Sequence, residues 1–115
     1  DLFLWDIKVM DEKLYHELVG GTLERVLENL RTIHRAGVSL RLRVLFIPGI
    51  QDQPEILSAT QALLKELEGV PYDVIPYHPL GNSKREKLAL EKVVFPVPSE
   101  EQVADFYRKL QFSNA

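Results

Sequence analysis

Apolar and polar residues recur with two different periods along this chain, and the points where the period changes mark its elements. Asp1 to Lys8 is apolar until its end and rich in aromatic and aliphatic side chains, the signature of a strand covered on both faces of a parallel sheet. Asp11 is placed to cap a short helix over Glu12 to Leu18, which Gly20-Gly21 ends. Thr22 is the next candidate N-cap, and Leu23, Val26, Leu27, Leu30 and Ile33 then recur at helical spacing until Ala36-Gly37. Val38 to Ile47 reads as a second strand, broken by Pro48-Gly49. Asp52, with Pro54 in the first turn, opens a helix with Ile56, Thr60, Leu63, Leu64 and Leu67 on one face, ended by Gly69 and Pro71. Tyr72 to Tyr77 is a third strand in which Pro76, lacking an amide proton, requires an edge position or a strand end. A proline-containing loop from His78 to Pro98 leads to the last helix. That helix carries the capping box Ser99-Glu100-Glu101-Gln102 and an apolar face of Val103, Phe106, Tyr107 and Leu110.

The order β, α, α, β, α, β, loop, α predicts an α/β fold with parallel strands joined by helical crossovers. Three strands cannot close a barrel of about eight, so both sheet edges are expected to be open, as in a fragment or an obligate oligomer that self-associates. The chain starts at Asp1 without a methionine, and Leu2-Phe3-Leu4-Trp5 already reads as mid-strand, which points the same way. At 115 residues, 45% hydrophobic and 27% charged, one globular domain spanning residues 1–115 is expected. Lys plus Arg number 14 against 17 Asp plus Glu, a net charge of −3 without a basic run, which disfavours nucleic acid as a partner. The longest apolar stretches, such as Val44 to Ile47, are far short of the ~20 residues that span a bilayer, and no signal-like leader is read. The expected location is the cytosol. Absence of cysteine excludes disulfides, a thiol nucleophile and thiolate-held metal or iron–sulfur sites within this chain.

Function in parallel α/β folds gathers at the carboxyl ends of strands. In the first strand Asp6 and Lys8 share one face by the period-two rule, which sets a carboxylate and an ammonium side by side. They serve either as a junction salt bridge or as contacts to a zwitterion or polyol. In the second strand Arg41 and Arg43 project from one face among Leu40, Leu42 and Val44, and buried guanidinium groups need a carboxylate, a ligand or a partner. Arg43, nearer the strand's end, is the site candidate, and Arg41 the structural pairing. Tyr77-His78-Pro79 places an imidazole where the third strand breaks, while His16 and His34 on helices read as structural or exposed. Gly81-Asn82-Ser83-Lys84 offers a turn and a cation without the spacing of a phosphate-binding loop. Nucleophile-elbow, paired-histidine and dinucleotide fingerprints are not found.

These landmarks form a series. Asp1-Leu2-Phe3-Leu4-Trp5-Asp6-Ile7-Lys8-Val9-Met10-Asp11, His16, Gly20, Arg43 through Ile47-Pro48-Gly49, and Pro76-Tyr77-His78-Pro79-Leu80-Gly81 with Lys84 follow one another in order. Together they resemble the C-terminal half of the pyruvate formate-lyase activating enzymes, radical S-adenosylmethionine activases of glycyl radical enzymes. The resemblance implies a parallel-strand half-barrel, the C-terminal part of a partial (β/α)6 TIM-like barrel. It implies a reaction in which a reduced [4Fe-4S] cluster passes an electron to the sulfonium of S-adenosylmethionine, releasing methionine and a 5′-deoxyadenosyl radical. That radical takes a hydrogen from a backbone glycine of a pyruvate formate-lyase-type partner, with flavodoxin or ferredoxin as electron donor. By the same resemblance Asp6 and Lys8 are the strand-end pair near S-adenosylmethionine, Arg43 lines the cavity between cofactor and partner glycine, and His78 lies beside the adenosine. Asp6 is further implied as a ligand of a sodium or potassium ion whose other ligands lie upstream.

The sequence departs from the family's usual pattern at Gly20-Gly21-Thr22-Leu23, where Gly-x-Ser-Asn is customary, and at Arg85, where an aromatic usually follows the lysine. The Cys-x-x-x-Cys-x-x-Cys loop of the family is not in the chain, so the cluster cannot be bound here and the chain alone is expected to be inert. Two other readings compete. One is a non-catalytic relative that keeps a half-barrel for docking a protein. The other is an unrelated α/β fragment that binds a phosphorylated small molecule through Arg43, His78 and Lys84.

Overall fold

The computed structural model describes residues 2–78 and 97–111. In chain order the elements are β1 (Phe3–Ile7), α1 (Glu12–Leu18), α2 (Leu23–Arg35), β2 (Leu40–Phe46), α3 (Pro54–Glu66), β3 (Tyr72–Pro76) and α4 (Glu100–Gln111). The strands form one parallel sheet in the sequential order β1-β2-β3. Both β1 and β3 are therefore edges among the described residues, as the strand count predicts.

Strand β2 alternates strictly. Leu40, Leu42, Val44 and Phe46 are buried, while Arg41, Arg43 and Leu45 between them are half-exposed. The buried set meets Leu30 of α2, Leu63 of α3, Leu67 just beyond it, and Phe106 and Leu110 of α4, with Ile7 from β1, in one core. Phe46 and Phe106 stack at a centroid distance of 4.3 Å and 9° between ring planes. Helices before and after β2 thus cover the same face of the sheet. A doubly wound sheet would carry helices on both faces and reverse its strand order. Sequential order with one-sided helices is the winding of a barrel, opened out here to a half-barrel. The other face carries Leu4, 52% exposed, and Ile75, 36% exposed, between charged residues.

Local chemistry sets the element ends. Asp11 accepts the Leu14 N–H at 2.9 Å and opens α1 as expected. Ser99 and Gln102 cap α4 reciprocally, the Gln102 N–H donating to the serine hydroxyl at 3.1 Å and the Ser99 N–H to the glutamine carbonyl at 2.9 Å. Two other helix starts differ in their bonding. Thr22 takes the N-cap position of α2 as expected but makes no side-chain bond, and Glu12 accepts the Leu23 N–H at 2.6 Å. Asp52 does not cap α3, which starts at Pro54 with Gln53 before it. It accepts the Gly49 N–H at 2.7 Å and closes the Pro48-Gly49 turn, where Gly49 takes a positive φ of 90°.

Strand β3 satisfies both conditions set by its proline. Leu42 donates to the Pro71 carbonyl and Tyr77 donates to the Phe46 carbonyl, each at 2.9 Å, so alternate residues from 71 to 77 point their backbone groups at β2. Pro76 falls on the opposite parity, and its missing N–H lies on the outer edge, where it costs no ladder bond.

Candidate functional site

A parallel sheet brings the ends of its strands together on one side, and the sequence candidates gather there. Asp6 of β1 lies in register with Arg43 of β2, on the face not covered by helices. The pair is bidentate, with the guanidinium Nε donating to Asp6 at 2.6 Å and Nη2 at 3.1 Å. Lys8 follows immediately after β1, and His78, exposed, stands two residues beyond Pro76 at the end of β3. Asp6, Lys8 and His78 lie at or just beyond the carboxyl ends of their strands, and Arg43, the middle residue of β2, is in register with Asp6. Of the two alternatives for Asp6 and Lys8, the junction salt bridge is not formed; the carboxylate faces across to Arg43 because strand register brings that guanidinium opposite it. Gly81 to Lys84 and Arg85 lie outside the described residues.

A second ion pair sits one step toward the amino end of β2. Arg41 donates through Nε to Asp73 of β3 at 2.6 Å and through Nη2 at 2.8 Å. Register places Asp73 opposite Arg43, yet it reaches back to Arg41 while Arg43 turns to Asp6. The hydrogen bonds from Arg41 hold the Asp73 carboxyl below the ordinary carboxylate range, against a smaller upward push from desolvation. The two arginines thus tie β2 to different neighbours, Arg41 to β3 through Asp73 and Arg43 to β1 through Asp6. Both pairs are about one-third to one-half exposed, so neither adds much to stability.

One residue that sequence reasoning passes over joins this end. Gln51 is 2% exposed. Its Oε1 accepts the Ile47 N–H at 2.5 Å and its Nε2 donates to the Lys8 carbonyl at 2.7 Å. A glutamine in a loop has no periodic signal, and only its neighbours reveal it. Among the described residues, no cluster of three or more His, Asp or Glu side chains has the geometry to hold a metal ion.

Comparison with known proteins then bears on what this end of the sheet does. No family model matches the chain. The trans-4-hydroxy-L-proline dehydratase activating enzyme of Clostridioides difficile is 30% identical over 99% of this chain and 39% of its own length. The chain is related to the activating enzymes of glycyl radical enzymes. The pyruvate formate-lyase-activating enzyme of Staphylococcus epidermidis is 29% identical over 98% of the chain and 46% of its own length. The isethionate sulfite-lyase activating enzyme of Nitratidesulfovibrio vulgaris is 39% identical over 70% of the chain and 27% of its own length. A crystal structure of a domain of pyruvate-formate lyase-activating enzyme from Bacteroides vulgatus superposes with a TM-score of 0.70 at 23% identity, over 95% of this chain and 60% of that one. At that identity the likeness speaks for the fold, and it agrees with the half-barrel winding. The chain spans less than half the length of these curated activating enzymes.

Proposed function

We propose that this chain is the C-terminal part of a glycyl-radical-enzyme activating enzyme, supplying half of a partial (β/α)6 barrel and one wall of its S-adenosylmethionine site. The observation that carries this reading is the identity of 30% with an activating enzyme over 99% of the chain. The arrangement at the carboxyl end of the sheet supports it chemically. S-adenosylmethionine carries a carboxylate, an ammonium and a sulfonium. A site for it needs both charge signs placed in advance, which Asp6, Lys8 and Arg43 provide. Asp6 and Arg43 fix one another's orientation through two hydrogen bonds. His78 would contact the adenosine, and Arg43 would line the cavity between the cofactor and the partner's glycine. Asp6 also offers an oxygen to a sodium or potassium ion completed by residues outside this chain.

The iron–sulfur cluster of such an enzyme does not fit this chain by itself, which has no cysteine. Thiolate ligands must come from another part of the protein. Held by such ligands, a cluster would be the source of the electron for reductive cleavage of S-adenosylmethionine. This chain's own residues would bind and orient the ligand. Closing the barrel over the uncovered face would remove Asp6 and Arg43 from solvent and strengthen their hold on a charged ligand. In this reading the isolated chain is inert, its partner is a glycyl radical enzyme of the pyruvate formate-lyase type, and a flavodoxin or ferredoxin donates the electron. In this reading the protein works in the cytoplasm.

The test is anaerobic incubation of the full-length protein carrying this chain with S-adenosylmethionine, a reductant and pyruvate formate-lyase-type enzymes. Electron paramagnetic resonance should show a glycyl radical on one of them. A full-length protein with no Cys-x-x-x-Cys-x-x-Cys loop, and no radical, would overturn the reading in favour of a non-catalytic docking module.

A further inference from the structure

We propose that Gln51 is a positioning residue for the ligand site, an amide clamp that fixes the carboxyl end of β1 against the carboxyl end of β2. The proposal rests on reading that end of the sheet as an S-adenosylmethionine site. Strand pairing between β1 and β2 stops at Ile7 opposite Val44. Lys8 is the next residue of β1, and Ile47 is the first beyond β2. The Gln51 side chain continues the ladder past that point, accepting from the Ile47 N–H at 2.5 Å and donating to the Lys8 carbonyl at 2.7 Å.

The chemistry suits an amide closely. The gap presents one backbone donor and one backbone acceptor, and the glutamine side chain offers one of each without bringing a charge into a buried position. A leucine there would leave both backbone groups without this partner, and an unsatisfied buried polar group is costly. The loop that carries Gln51 is itself held. Asp52 accepts the Gly49 N–H and Gln53 donates to the Gly49 carbonyl, each at 2.7 Å. Gln51 therefore works from a fixed base. One of the two groups it grips is the backbone of Lys8, a ligand residue of the proposed site, two positions from Asp6. Release of the clamp frees the end of β1 and lets Lys8 shift relative to the Asp6–Arg43 pair. Binding sites are sensitive to shifts of about 1 Å.

The full-length protein carrying Gln51→Glu provides the test, because glutamate can be switched between two states at one site. Protonated, its carboxyl group imitates the amide, one oxygen accepting from Ile47 and the hydroxyl donating to Lys8. Ionised, it still accepts from Ile47 but repels the Lys8 carbonyl. Burial raises the carboxyl's pKa and brings the switch toward the accessible pH range. Equilibrium binding of S-adenosylmethionine is measured for wild type and variant across pH, with hydrogen exchange of the segment around Lys8 read in parallel. Lys8, Asp52 and the other titrating groups are present in both proteins and largely cancel in the ratio of affinities. The variant is expected to bind about tenfold more weakly at high pH, the size expected for loss of one buried hydrogen bond. It should recover toward wild type as pH falls, with exchange around Lys8 slowing in step. An affinity ratio that stays near one while exchange around Lys8 changes with pH overturns the proposal and leaves Gln51 a purely structural tie. A wild-type protein that does not bind S-adenosylmethionine overturns the reading of the site itself, and the positioning role with it.

Discussion

The two faces of β2 differ by one residue of register and by almost everything else. Leu40, Leu42, Val44 and Phe46 look into a core closed by three helices and are between 0% and 6% exposed. Arg41 and Arg43, on the other face, keep about 40% of their side-chain surface open and spend their hydrogen bonds on carboxylates of the neighbouring strands. One face holds the fold and the other presents charge. Strand period alone separates the two tasks, since side chains one residue apart point to opposite sides.

This division can be broken first on the covered face. Leu42→Ala should destabilise the chain by about 2–5 kcal/mol, the usual cost of a cavity at a fully buried leucine, with a lowered urea midpoint and an unchanged m-value. A loss under 1 kcal/mol would show that the helices do not close that face. Next in size is the cap of α4, the helix whose Phe106 stacks on Phe46. Ser99→Ala removes one half of a reciprocal cap and should cost about 1 kcal/mol, measured by the same unfolding curves.

Arg41→Ala on the open face should have the smallest effect on stability, because its ion pair is exposed to solvent. Its sign can be read from pH. Asp73 has its folded-state pKa lowered by Arg41, so the contribution of the pair is present above the unfolded carboxyl pKa of about 3.9. It disappears as pH falls through the lower folded value. Melting temperatures of wild type and Arg41→Ala should therefore differ slightly at neutral pH and converge in acid. A difference that widens in acid would contradict the pairing.

Much of this was legible in the sequence, for physical reasons that can be named. The period-two run Leu40-Arg41-Leu42-Arg43-Val44 declares a strand with a charged face, and the spacing of Leu23, Val26, Leu27 and Leu30 declares a helix. The Ser99 capping box is local and was readable as such. Strand ends shift inward by one or two residues, Val38 to Ile47 becoming Leu40–Phe46, because a ladder needs a neighbour to pair with. Thr22 holds the N-cap position of α2 but leaves the bonding to another residue, and Asp52 is displaced from the cap of α3 by Gln53, for a related reason. The acceptor for the Leu23 N–H comes from Glu12, eleven residues upstream, and Asp52 is taken by a turn. Of the two readings open for Asp6 and Lys8, the junction salt bridge is not the one formed; Asp6 pairs with Arg43, 37 residues away in sequence, because strand register sets them opposite one another. Gln51 carried no signal, since its role depends on two backbone groups that only the fold brings together.

The central claim is that the open face carries the ligand site at its carboxyl end, through Arg43 and not Arg41. The most direct measurement is S-adenosylmethionine affinity of the full-length protein with Arg43→Ala and with Arg41→Ala, side by side. Loss of a charge-assisted contact at Arg43 should weaken binding by about ten- to a hundredfold, while Arg41→Ala stays close to wild type. Equal affinities for the two variants would contradict the account.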